Sequence, residues 1–179
     1  MTRTLVLIAA GTVALALAPA PVIAQGAKGD VAGGYAYLHE KGLSVPAGWF
    51  ASAGGRLNDW IGIAGAVSGH YKTETAGLVE TKASIHTFVA GPRFTAGRGR
   101  VVPYYQVLVG AARVGAKATV AGRSNSVTQN GFDIQPGLGL DLMGTRALGI
   151  RVGINGDYIR SDGEWAKEFQ FIAGAVARW

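Results

Sequence analysis

Apolar and polar residues alternate along most of the chain from about residue 31 to Trp179. The pattern is clearest in residues 148–157, where every second residue from Leu148 to Ile154 is a large aliphatic and Arg151 lies between them. Successive side chains of a β-strand point to opposite faces, so a period of two predicts strands with one apolar and one polar face. No helical period competes with this alternation. The sequence therefore predicts an all-β fold.

Eight such segments follow one another, each close to the length of about 9–11 residues that a tilted strand needs to cross a bilayer. Pro92 interrupts the fourth segment, because proline cannot donate a hydrogen bond to a neighbouring strand. The predicted strands are residues 31–38, 47–56, 61–71, 84–94, 104–111, 132–141, 148–157 and 168–179.

The connections between these strands alternate in length. Short turns at 57–59, 95–100 and 143–146 are separated by mostly longer, more polar segments at 40–46, 72–81, 114–128 and 160–166. Barrels of the bacterial outer membrane have short periplasmic turns and longer outer loops. The alternation predicts an eight-stranded, antiparallel, up-and-down transmembrane β-barrel with both termini in the periplasm and a flexible outer loop at 114–128.

The first 24 residues have the pattern of a secretory signal. Arg3 gives a positive start, residues 5–18 form an apolar core, and Val22-Ile23-Ala24 resembles a cleavage site. A membrane anchor is the alternative, but the apolar core is shorter than a spanning helix requires, and Pro19 and Pro21 follow it. We predict a cleaved signal peptide at 1–24 and a barrel domain at 25–179.

A soluble, lipocalin-like barrel would show the same alternation with its apolar face turned inward. Charged residues here share a face with many small residues, which suits the narrow lumen of a membrane barrel. Aromatic residues also gather near strand ends, where membrane interfaces favour them. The predicted interfacial aromatics are Trp49, Tyr71, Phe94, Tyr105, Phe132, Phe169 and Trp179.

From about Asp30 to Trp179 the chain resembles the outer-membrane β-barrel domain proteins, small relatives of the transmembrane domain of outer-membrane protein A. The resemblance lies in residues 90–94 (AGPRF), residues 135–141 (QPGLGLD) and the aromatic last residue. It implies insertion by the barrel-assembly machinery, which reads an alternating last strand ending in an aromatic. It also implies contact with outer-membrane lipids and lipopolysaccharide. We expect a monomer.

The composition narrows the possible functions. The chain has no cysteine, so neither disulfides nor thiolate metal sites are available. Its formal charge is +6, but the dense basic spot Arg98-Gly99-Arg100 lacks interleaved aromatics, which argues against nucleic acid. Three histidines without a carboxylate cluster predict neither a metal site nor a cofactor.

Two pairs, Ser68 with His70 and Ser84 with His86, have the spacing that would allow a Ser–His hydrogen bond. A resemblance to the barrel enzymes that act on lipid A would require the histidine to precede the serine along one strand and an acidic residue to orient it. Here the serine comes first. Glu74 and Glu80 lie in a predicted loop instead. We therefore predict a protein that is not an enzyme, with a lipid A-modifying enzyme as the weakest alternative.

Charged residues on the lumen face could line a channel for small solutes, which is a further alternative function. Eight strands, however, leave an interior that side chains largely fill. We predict an ion network that plugs the periplasmic side, with Asp141 as its one anion and water, backbone carbonyls or the terminal carboxylate accepting from the remaining donors. Its predicted members are Arg56, Arg93, Asp141, Arg151 and Arg178. The predicted function is structural or surface interaction.

Overall fold

A computed structural model describes residues 29–40, 43–45, 47–76, 79–97, 99–120, 123–161 and 164–179. The predicted signal peptide lies outside these residues. Within them, no helix is long and apolar enough to cross a membrane. The strands in chain order are β1 (Gly29–Glu40), β2 (Leu43–Val45), β3 (Ala47–Arg56), β4 (Ile61–Ala76), β5 (Val79–Thr95), β6 (Val101–Val120), β7 (Arg123–Met143), β8 (Leu148–Ser161) and β9 (Glu164–Arg178).

The sheet closes on itself, because β9 pairs with β1 as well as with β8. The three residues of β2 pair only with the end of β1, so the wall has eight strands, all antiparallel to their neighbours. Paired residues followed around the barrel from Gly29 return to β1 at His39, ten residues further along. Such a stagger requires tilted strands. The predicted eight-stranded barrel is confirmed.

The two ends of the barrel differ. Gly29, Trp179 and the three short turns lie at one end, which we call the terminal end. The connections between β4 and β5, β6 and β7, and β8 and β9 lie at the other, which we call the hairpin end. Antiparallel strands that alternate in direction must sort their connections in this way.

Polar residues point into the lumen and apolar residues point outward. On β8 the lumen-facing Arg151, Asn155 and Asp157 are buried, whereas Ile150 is 56% exposed. A soluble barrel would bury the aliphatic face instead. The outward surface therefore suits a hydrocarbon solvent, and the lipocalin-like alternative is excluded.

Several predicted loops are strand for most of their length. β4 and β5 stay paired up to Ala76 and Val79, and β6 and β7 up to Val120 and Arg123. The prediction of a flexible loop at 114–128 is wrong, since its described residues pair across the β6–β7 hairpin. Likewise, the described residues of 72–81 and 160–166 are strand.

Pro92 does not end its strand. β5 continues through it, with Pro92 opposite Ile63 of β4. Towards β6 the pairing is interrupted between Ala90 and Arg93 and resumes in the same register. Proline lacks only the donor on one side, so a strand can pass through it if that side gives up a hydrogen bond.

Candidate functional site

The lumen near the terminal end contains a buried ion network centred on Asp141. Asp141 of β7 and Arg151 of β8 are directly opposite in register and both point inward. Arg151 donates from Nε to Asp141 Oδ1 at 2.7 Å and from Nη2 to Oδ2 at 2.8 Å. This bidentate geometry is the strongest that an arginine and a carboxylate can form. Arg178 of β9 also donates to Asp141 Oδ2.

A second anion, Asp30 of β1, shares these arginines. Its Oδ1 accepts from Arg151 Nη2 at 2.7 Å and from Arg93 Nη1 at 2.9 Å. Arg151 also donates to Ser52 Oγ at 3.1 Å. The prediction of a single anion is therefore wrong. Two aspartates on opposite sides of the lumen divide three arginines, so the network spans the barrel.

The ring of Tyr104 on β6 contacts two of the arginines. The Cζ atoms of Arg93 and Arg151 lie 5.2 Å and 5.0 Å from the centre of its ring. Cations at this distance are attracted by the face of an aromatic ring. The Tyr104 hydroxyl occupies space beside Gly139 and Gly153, where an added Cβ would come within 2.5 Å and 2.7 Å of it.

Arg56 faces the lumen too, but it lies nearer the terminal end than the Asp141 and Asp30 pairs. There it lines an open cavity of about 640 Å³ together with Arg178 and residues of two turns. The network of hydrogen bonds given above is thus formed by Asp30, Arg93, Asp141, Arg151 and Arg178. The alternation along β1 could have identified Asp30 as a lumen residue, because Asp30 lies on the same face as the buried Ala32 and Ala36.

Uncharged amides continue from the network along the lumen. Arg93 Nε donates to Gln106 Oε1 at 2.9 Å, Gln106 to Asn155 at 3.4 Å, and Asn155 to Gln170 at 2.7 Å. Gln170 then reaches His70 at 3.5 Å. The cavity enclosed beside this ladder has a volume of about 10 Å³, close to the smallest space that holds one water.

Carboxylates are buried in the lumen towards the hairpin end. Asp133 and Asp157 have 0% and 2% of their surface exposed, and Glu168 has 7%. Gln135 donates to Asp157. The arginines of the ion network thus lie near the terminal end, whereas these three acids lie towards the hairpin end.

Neither predicted Ser–His pair forms a nucleophile and base. Ser68 Oγ lies 2.8 Å from Thr87 Oγ1, and His70 Nε2 is directed to Gln170. On the outward face, His86 Nε2 lies 3.1 Å from the Tyr71 hydroxyl. The i, i+2 spacing places each pair on one face, as predicted, but the side chains turn to other partners.

The predicted interfacial aromatics all lie on the outward face, in two girdles. Phe94, Tyr105 and Trp179 are near the terminal end. Trp60, which was not predicted as an interfacial aromatic, stacks on Phe94 with ring centres 6.0 Å apart. The girdle near the hairpin end contains Trp49, Tyr71, Phe132 and Phe169.

Beyond this second girdle, β4 to β7 continue as a four-stranded sheet. A surface groove of about 320 Å³ crosses it, lined by Lys72, Lys82 and Lys117 among hydroxyl-bearing residues such as Ser126 and Thr128. Lys82 and Lys117 are directly opposite each other on β5 and β6.

A closed barrel with an apolar exterior, two aromatic girdles and a polar lumen defines an outer-membrane β-barrel protein. The sequence profile of the outer membrane protein beta-barrel domain family matches residues 7–177. The chain belongs to this family, and its location is the bacterial outer membrane. A comparison with curated protein sequences gave no match.

Several solved structures are similar to this barrel. Ail, the attachment invasion locus protein of Yersinia pestis, is 19% identical with a TM-score of 0.61, over 86% of this chain and 97% of that one. Neisserial surface protein A is 17% identical with a TM-score of 0.55, over 86% and 96%. A major outer membrane protein from Thermus thermophilus is 11% identical with a TM-score of 0.68, over 87% and 100%. At these identities the similarity shows the fold.

Proposed function

We propose that this chain is a non-enzymatic outer-membrane protein that binds anionic, hydroxyl-rich ligands at the cell surface. The observation that carries the proposal is the lysine-lined groove on the sheet that β4 to β7 form beyond the hairpin-end girdle. Like charges directly opposite on neighbouring strands destabilise a sheet. Lys82 and Lys117 are placed in that way, and an anion bound between them would lower their mutual repulsion.

In this proposal the terminal end faces the periplasm and the hairpin end faces outward. The short turns at the terminal end and the paired extension at the other fit that orientation. The outward surface near the same end would then meet the lipopolysaccharide of the outer leaflet. The barrel-assembly machinery would read the alternating strand β9.

The lumen argues against a channel. We infer that side chains of the ion network and the amide ladder fill it, and the small volume of the internal cavity, about 10 Å³, supports this inference. An eight-stranded barrel is expected to be filled in this way. In this proposal the cell-surface ligand therefore binds to the outside of the barrel, not in its interior.

One solved relative gives the first ligand to test. Ail of Yersinia pestis has been crystallised with the heparin analogue sucrose octasulfate, in a structure 20% identical to this chain with a TM-score of 0.61. The same polyanion carries negative charge that could pair with Lys82 and Lys117, which lie on the outward face of β5 and β6. We propose sulfated or phosphorylated glycans as the ligand class.

The experiment measures binding of sucrose octasulfate to the barrel in nanodiscs of zwitterionic lipid, with sucrose as the neutral control. Lys82→Gln with Lys117→Gln should weaken binding about tenfold, equivalent to about 1.4 kcal/mol. Arg160→Gln with Lys167→Gln removes the same charge elsewhere and should change affinity little. Equal losses in both pairs, or no binding by the unmodified barrel, would refute the proposal.

A further inference from the structure

The lumen opens at the terminal end into the cavity of about 640 Å³, which we call the vestibule. Four arginines line it, and each comes from a different element: Arg56 from β3, Arg100 from the β5–β6 turn, Arg146 from the β7–β8 turn and Arg178 from β9. A concave space of this size is typical of a small-molecule site.

Positive charge exceeds negative charge around the vestibule. Asp30 and Asp141 already accept from Arg93, Arg151 and Arg178. The only other acidic side chain among the described residues at this end is Asp59, so guanidinium groups outnumber side-chain carboxylates there. The arginines of the described terminal end are Arg56, Arg93, Arg100, Arg146, Arg151 and Arg178.

The choice of cation is also informative. Each described basic residue at the terminal end is arginine, whereas the described lysines, Lys72, Lys82, Lys117 and Lys167, all lie towards the hairpin end. Arginine presents a planar fork that binds two oxygens of a phosphate at once, which the point charge of lysine cannot do. In addition, Arg178 Nε is a buried donor without a partner among the described residues.

We propose that the vestibule is a binding site for a phosphate group carried by a small molecule or by a phospholipid headgroup. Arg100 and Arg146, on exposed turns, reach the phosphate from the rim, and Arg56 and Arg178 reach it from the wall. This site lies at the opposite end of the barrel from the lysine groove, so it goes beyond the proposed surface function.

The test uses the full barrel in nanodiscs of phosphatidylcholine, carrying Lys82→Gln and Lys117→Gln so that the groove does not contribute. Pyrophosphate is titrated by calorimetry. Adding Arg100→Gln and Arg146→Gln should weaken binding at least about tenfold, since two bidentate contacts are lost. Arg100→Lys with Arg146→Lys should recover part of the affinity. Arg160→Gln with Lys167→Gln is the matched control and should leave binding unchanged.

A second arm separates the two sources of phosphate. Phosphatidylglycerol is added to the nanodiscs, and its retention by the purified barrel is measured by mass spectrometry. Competition with pyrophosphate would assign a lipid headgroup, and undiminished pyrophosphate binding would assign a soluble ligand. The proposal is overturned if the barrel binds neither, or if the control pair loses as much affinity as the arginine pair. Heat-modifiable migration on a gel verifies that each variant is folded.

Discussion

The ion network places full charges where almost no water reaches them. Asp141 is 0% exposed and Arg151 is 1% exposed. Each is tolerated only because its partner is fixed opposite it on the neighbouring strand. A buried pair need not stabilise a fold relative to apolar residues, but removal of one partner leaves an uncompensated charge. The network therefore makes the folded barrel sensitive to single substitutions.

Asp141→Ala is expected to lower the free energy of unfolding by about 3–5 kcal/mol, because it leaves Arg151 and Arg178 without their shared acceptor. The exposed acid Glu164 is the control, and Glu164→Ala should change stability by less than about 0.5 kcal/mol. Urea unfolding in lipid vesicles measures both. Equal stability of the two variants would mean that the arginines are independently solvated.

Adding even a methyl group at Gly139 is expected to destabilise the barrel. A Cβ there would lie 2.5 Å from the Tyr104 hydroxyl and 2.5 Å from the backbone oxygen of Val152. Gly139→Ala should therefore cost about 1–3 kcal/mol through overpacking. Gly65→Ala is the matched control, since its nearest neighbour would be the Val89 oxygen at 3.7 Å. The same unfolding assay compares them, and a tolerated Gly139→Ala would show that both Tyr104 and the backbone at Val152 can shift.

At the scale of single residues, sequence periodicity placed the lumen charges but not their partners. Asp141 and Arg151 are ten residues apart on adjacent strands, and a turn brings them into register. Asp30 and Arg151 are 121 residues apart and meet only because the barrel closes. Alternation tells which face a residue occupies. It contains no information on which distant strand lies across the lumen, so Asp30 was missed.

At the scale of strands, the outward-pointing apolar residues define the part of each strand that contacts the hydrocarbon of the membrane. Val152→Arg, on the outward face of β8, should cost about 2–4 kcal/mol in folding into bilayers. Ser124→Arg introduces the same side chain on the outward face of β7 beyond the hairpin-end girdle, where it should cost only about 0–1 kcal/mol. Folding titrations in vesicles measure the difference. Similar costs at both positions would show that the girdle does not mark the membrane boundary.

The ends of the strands were the least predictable feature of the fold. Hydrophobic alternation fades at residue 72 on β4 and at about residue 113 on β6, where the strands leave the apolar region. Backbone pairing does not fade there, since Lys72 remains opposite Ala83 and Val114 opposite Gln129. Beyond the membrane, hydrogen bonding alone maintains the hairpins. A pattern based on side-chain polarity therefore predicts loops where strands continue.

At the scale of the whole molecule, the proposal of a filled lumen predicts that the barrel conducts no ions. In planar bilayers the unmodified protein should show no conductance steps. Asp141→Ala should show intermittent ion leakage, because Arg151 and Arg178 then repel each other in a confined space. Glu164→Ala should stay silent. If neither variant conducts, the amide ladder from Gln106 to Gln170 closes the lumen without help from the ion network.

The orientation of the barrel can be tested directly because the chain contains no cysteine. Asn125→Cys places a thiol on the exposed β6–β7 hairpin, and Gly99→Cys places one in a turn at the terminal end, where an added Cβ meets nothing within 4 Å. With the terminal end in the periplasm, a membrane-impermeant maleimide should label Asn125→Cys on intact cells. It should label Gly99→Cys only after the outer membrane is permeabilised. The reverse pattern would invert the barrel, move the lysine groove into the periplasm and expose the arginine vestibule to the outside. Because the two sites lie at opposite ends, this one measurement decides which of them can meet ligands from the environment.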